Sequence, residues 1–129
     1  MATSFSGSSR IPHLAFDSGA DHLNLHTRES DAIIAYLVDT YDTERKISAA
    51  DTKEKYEELQ WLFFQASGQG PYFGQAVWFS VFHPEKIPSA IERYQNEIKR
   101  VFSVLESVLS KREWLVGNKV SIADISFIP

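Results

Sequence analysis

The stretch SAIERYQNEIKRVFSVLESVLSK, Ser89 to Lys111, decides the fold. Ile91, Tyr94, Ile98, Val101, Phe102, Leu105, Val108 and Leu109 recur at intervals of three and four, the signature of one helical face. Arg93, Glu97 and Arg100 sit at pairing distance on the outer face, where such pairs stabilise by only about 0.2–0.5 kcal/mol each. Pro88 stands just before and is tolerated in a first helical turn. A helix this long with one apolar stripe predicts a mostly helical protein, with other elements covering that stripe.

Working outward, His83 to Pro88 reads as a turn, preceded by an aromatic-rich helical pattern from Tyr72 to Phe82. Trp78, Phe79 and Phe82 there suit a core or subunit contact better than a cofactor box. Gly68-Gln69-Gly70-Pro71 is expected to interrupt the helix before it. That helix opens at Asp51, with Glu54 three residues on completing a capping-box pattern. Its apolar face is expected to be Tyr56, Leu59, Leu62, Phe63 and Ala66, while Lys53, Lys55, Glu57 and Glu58 read as solvated surface. Downstream, Trp114-Leu115-Val116-Gly117 ends in a turn, and Ser121-Ile122-Ala123-Asp124 is a capping box that starts a further helix. Few residues follow that start, so the chain reads as cut there.

The first forty residues read differently. Residues 1–9 form a small, polar, aperiodic leader. Ile11 to Phe16 is expected to be extended, because Pro12 disfavours helix for its predecessor and removes a donor. Asp17-Ser18-Gly19 signals a turn, and His22 to Thr27 alternates polar and apolar like a half-buried strand. An isolated hairpin of this kind is marginal and needs more strands or a helix to pack on. Asp31 to Tyr41 is a helix apolar on most sides, with Glu29, Ser30 and Asp31 at its start. The polar connection 42–50 marks a domain boundary.

Composition narrows the function classes. The chain is 43% hydrophobic and 13% aromatic, which fits a packed protein rather than disorder. Its formal net charge of −4 offers no basic field for nucleic acid or anionic lipid. It has no cysteine, hence no disulfide, thiolate metal site or cysteine nucleophile. The apolar run Ala32 to Val38 falls far short of the ~20 residues of a spanning helix. A cytoplasmic address is the expectation, with no membrane or nucleic-acid partner.

Two constellations bear on chemistry. His22 and His26 share a strand face but lie ~13 Å apart along an extended strand, too far for one metal ion, so no metal site is expected. Gly68-x-Gly70 follows a helix rather than a strand and lacks the context of a nucleotide loop. Glu29-Ser30 at a helix start is more telling. The first helical N–H groups have no internal partners and attract an anion, Ser30 adds a hydroxyl, and Glu29 can hold an ammonium group. Together they suit a zwitterion such as an amino-acid head group, although Ser30 serving only as an N-cap explains the same residue.

Arg10-Ile11-Pro12-His13-Leu14 followed by Glu29-Ser30-Asp31-Ala32-Ile33 resembles the glutathione site of the thioredoxin-like domain in glutathione transferases. Trp61 to Ala76 (WLFFQASGQGPYFGQA) is similar to the fungal class that includes the yeast nitrogen-catabolite regulator. Trp114-Leu115-Val116-Gly117 with Ser121 and Asp124 resembles the helical domain of the same family. The resemblance implies an α+β chain that is mostly α: a thioredoxin-like remnant (one β-hairpin and one helix, residues 10–42), a linker (43–50) and a partial all-helical C-terminal domain (51–129). It implies that Arg10, Ile11, Glu29 and Ser30 contact glutathione, that Pro12 is cis, and that Ser121 and Asp124 are structural. It also implies a homodimer using the helix at Asp31 and the helices from Asp51 to Phe82, with a small electrophile as second substrate.

The family's first strand, helix and second strand, which carry the residue touching the glutathione sulfur, have no counterpart before Arg10, and no catalytic residue is assigned. Arg28 stands where the family often has an aromatic residue. Three functions therefore stay open: a transferase conjugating or exchanging glutathione in a full-length form; a non-catalytic glutathione-binding or regulatory module; and a truncated product without function.

Overall fold

The computed structural model describes residues 15–17 and 26–128. β1 (Ala15–Asp17) and β2 (His26–Arg28) form an antiparallel ladder in which Ala15 faces Arg28 and Asp17 faces His26. The leader, Arg10, Ile11, the expected cis Pro12 and His22 lie outside the described residues.

α1 (Ser30–Tyr41) follows β2 directly. α2 (Thr52–Phe64) starts at Asp51, whose Oδ1 accepts the Glu54 N–H at 2.9 Å, while Glu54 Oε2 reaches back to the Ala50 N–H at 2.8 Å. The expected break at Gly68-Gln69-Gly70-Pro71 does not occur. The helix instead widens into a π-turn over Gln65–Gln69 and continues as α3 (Gly70–Val77). The physical reason lies in Pro71, which has no N–H and whose ring would collide with the carbonyl four residues back. A π-turn shifts the bonding by one residue, as in the Gly70 N–H to Gln65 C=O bond, and so passes a proline without a break. A second π-turn, Trp78–Phe82, ends the rod, and His83 is extended as a residue before proline must be.

α4 (Pro88–Leu109) returns antiparallel to this rod, and α5 (Ile122–Ser126) closes the described structure. α5 works as a wedge between two apolar clusters. Ala123 packs with Trp61, Leu115 and Val116, and Ile122 packs with Val38 and Leu62. Trp61 meets Phe64 and Phe127 edge-on, with centroids 5.8 and 6.1 Å apart, the geometry aromatic quadrupoles favour.

Several side chains depart from the expected faces. Tyr56 and Phe63 are 68% and 71% exposed, and Ala66 is exposed as well. The buried stripe of α2 runs through Glu58, Trp61 and Leu62, because α2 packs on α5 and the 114–116 turn rather than along the Tyr56–Phe63 line. Glu58, read as solvated, is 4% exposed. On α4 Val101 is fully buried, yet Phe102 and Leu109 stay exposed. Trp78 and Phe82 are exposed too, so they are not core. Phe79 alone of that trio is covered, stacked on Tyr94 at 5.4 Å.

Candidate functional site

The start of α1 is built unusually. Its N-cap is Glu29, held at φ +71° and ψ +126°, a backbone region that a β-carbon disfavours. Strain of this sort, worth about 1–3 kcal/mol, concentrates at ligand clamps. Among the described residues no side chain caps the helix, and Ser30 is its first helical residue, not its cap. The alternative of Ser30 as a simple N-cap is thereby corrected: its hydroxyl is exposed at the helix entrance. The first intrahelical bond runs from the Ile33 N–H to the Glu29 C=O at 3.0 Å. The amides of Ser30, Asp31 and Ala32 therefore point out of the helix end, where the helix dipole favours an anion.

Beside this end lies a groove of about 410 Å³ between α1 and α2, lined by Glu29, Asp31, Ala32, Ala35, Leu59, Leu62, Phe63 and Ala66. Its walls are almost wholly apolar, and its polar rim is the Glu29–Asp31 corner. Burial, helped by the Glu29 charge, pushes the Asp31 carboxyl above its ordinary value. Asp31 Oδ2 has no hydrogen-bond partner among the described residues. The corner thus combines anion-seeking amides, a hydroxyl and two carboxylates beside an apolar surface, the set that would hold a zwitterion carrying an apolar body.

Of the residues expected to contact glutathione, Glu29 and Ser30 stand together here, while Arg10 and Ile11 lie outside the described residues. The strain at Glu29 and the role of Asp31 escape sequence reading; an acidic residue directly after the Glu-Ser pair was the available signal for the second. No group of three or more His, Asp or Glu suited to a metal ion exists among the described residues. Nor is any helix there long and apolar enough to cross a membrane.

Ser121 and Asp124 lie on the far side of the α2 layer. Asp124 Oδ2 accepts the Ser121 N–H at 2.9 Å and its hydroxyl at 3.0 Å, and Oδ1 accepts the Leu115 N–H at 2.9 Å. One carboxylate therefore ties the 114–116 turn to the start of α5, which seats Leu115, Val116 and Ala123 in the core.

A helical rod, an antiparallel return and a capped wedge helix define a known class: residues 71–129 match the glutathione S-transferase C-terminal domain. Through them the chain belongs to the glutathione S-transferase family. It is 54% identical over 121 residues to glutathione S-transferase 2 of Schizosaccharomyces pombe, covering 93% of this chain and 51% of that protein. It is 35% identical over 155 residues to the transcriptional regulator URE2 of Saccharomyces cerevisiae, covering 93% of this chain and 43% of the regulator. Among solved structures it resembles the glutathione transferase URE2P6 of Phanerochaete chrysosporium in complex with oxidized glutathione. There the TM-score is 0.80 and the identity 66%, over 84% of this chain and 50% of the other. The chain spans about half the length of these relatives.

Proposed function

We propose that this chain carries the γ-glutamyl half of a glutathione site, and that the whole protein transfers glutathione to an electrophile or exchanges its thiol. The observation that carries this reading is the strained Glu29 next to an uncapped Ser30 at the α1 entrance. The γ-glutamyl carboxylate is received by the Ser30 hydroxyl and the free amides, and the ammonium group by Glu29, with Asp31 close by. Arg10 and Ile11 extend the site towards the cysteinyl part, with Pro12 cis. The attacking group is the thiolate of glutathione itself, so the protein's work is to hold it and lower its pKa. That a relative binds oxidized glutathione supports the ligand class.

The proposal includes a division into a thioredoxin-like part (10–42), a connection (43–50) and a helical part (51–129). It also includes a cytoplasmic homodimer in which α1 and the rod from α2 to the second π-turn face their copies. The exposed Phe63, Trp78 and Phe82 favour that surface. A second reading, a non-catalytic regulatory module, is favoured by the kinship to a transcriptional regulator. Titration calorimetry of this chain with reduced glutathione, run beside a thiol-consumption assay on an electrophile, tests both. Binding with turnover supports the transferase, binding without turnover the regulatory module, and absence of binding removes both.

A further inference from the structure

Residues 42–50, which read as a linker, are tied down along most of their length. The Asp42 carboxylate accepts the Lys46 N–H at 2.7 Å, the Ile47 N–H at 3.0 Å and the Ser48 hydroxyl at 2.8 Å. The Arg45 guanidinium donates to the Ala49 carbonyl at 2.7 Å, and the Ile47 carbonyl receives the Ile122 N–H of α5 at 2.9 Å. Lys119 donates to the Arg45 carbonyl. Ser48 and Ala49 are 6% and 3% exposed, so this segment is a strap pressed into the junction of α1, α2 and α5.

Glu58 lies under the strap. Its carboxylate accepts the Ala49 N–H, while its Oε1 has no partner among the described residues. The cavity it borders measures about 20 Å³ and is walled by α1 (Val38, Asp39), the strap (Arg45, Ser48) and α2 and α5 (Leu62, Ile122). A space of that size admits one water molecule at most, so no dissolved counter-ion can reach Oε1. A buried, half-satisfied carboxylate is costly, whereas the neutral acid is not.

The charges around it do not cancel. Asp39 from α1 and Glu54 on α2 oppose ionisation of Glu58, and Lys119, just before α5, favours it. The remaining cations are engaged elsewhere: Lys55 holds both oxygens of Asp39 at 2.9 Å, and Arg45 holds Ala49.

We propose that Glu58 is a pH-sensitive latch on the strap, seating Ala49 when neutral and loosening it when ionised. The joint between α1, which carries Glu29 and Ser30, and the helices behind it therefore stiffens as pH falls. Burial holds the Glu58 carboxyl above its ordinary 4.5, against the pull of the Ala49 N–H. The stabilisation is fully present below 4.5 and is lost as pH rises through the folded-state value.

The test is residue-resolved hydrogen exchange on this chain and on Glu58→Gln, across that pH range and corrected for the intrinsic exchange rate. The expected result is progressive loss of protection at Ala49 with rising pH in the native chain and a flat profile in the variant. Equal pH dependence in both overturns the proposal. If Glu58→Gln does not fold, NMR titration of the native Glu58 carboxyl decides. A midpoint raised above 4.5 that tracks Ala49 protection supports the latch. A midpoint at or below that value overturns it.

Discussion

Gly117 is fitted against Glu54. A β-carbon on Gly117 would stand 2.8 Å from Glu54 Oε1, and Glu54 is not free to swing away because its Oε2 accepts the Ala50 N–H. Gly117 also has φ +60°, where a β-carbon is strained in any case. This pair joins the turn before α5 to the first turn of α2.

Gly117→Ala should therefore destabilise the chain by about 1–3 kcal/mol, from strain and from the lost Glu54–Ala50 contact. Denaturant unfolding measures it. A variant as stable as the parent would mean that the turn relaxes freely.

Asp124 carries three hydrogen bonds from Ser121 and Leu115. Asp124→Ala leaves their buried donors unpaired, at a cost of about 2–4 kcal/mol. Ser121→Ala should cost less, because the Ser121 N–H remains to be satisfied by Asp124. Chemical denaturation of both variants checks the order.

Asp42 gives a pH signature. Partial burial opposes ionisation, but the donors from Ile47, Lys46 and Ser48 outweigh it and pull the carboxyl down from 3.8 to about 2. A depressed acid contributes stability above its unfolded value, lost as pH falls through the folded one. The difference in stability between the chain and Asp42→Ala should be constant above 3.8 and shrink between that value and about 2. A difference unchanged across this window would contradict the strap geometry.

Glu29 separates folding from binding. Glu29→Gly removes the backbone strain at φ +71° and should leave the chain as stable or about 1 kcal/mol more stable. The same change removes the proposed ammonium partner, so any response to glutathione should fall. Parallel melts with and without ligand read both effects, and a variant that loses stability without ligand would show that Glu29 is not strained.

The long amphipathic helix and the Ser121–Asp124 pair were legible because each depends on local spacing: a period of three and four residues, and a carboxylate three residues after a serine. The Asp51–Glu54 reciprocal cap was legible for the same reason. What escaped was set by tertiary neighbours. Glu58 looks like one charge among Lys55 and Glu57, and only the strap above it makes it buried. Trp61 outranks Tyr56 and Phe63 in the core because α5 and Leu115 come to it from far along the chain. The π-turn at Gln65–Gln69 could not be told from a break, since Pro71 signals both. At the site, the Glu-Ser pair was visible, but the positive φ of Glu29 and the apolar groove beside it arise from how β2 enters α1 and how α1 lies on α2.

The most direct measurement of the glutathione half-site is the thermal midpoint of this chain, with and without millimolar glutathione, beside Ser30→Ala. A ligand that binds only the folded state stabilises by RT ln(1 + [L]/Kd), about 2.7 kcal/mol at a hundredfold excess over Kd. A midpoint that rises with glutathione in the chain and stays put in Ser30→Ala is the predicted result. A midpoint that ignores glutathione, or that rises equally in Ser30→Ala, would contradict the account.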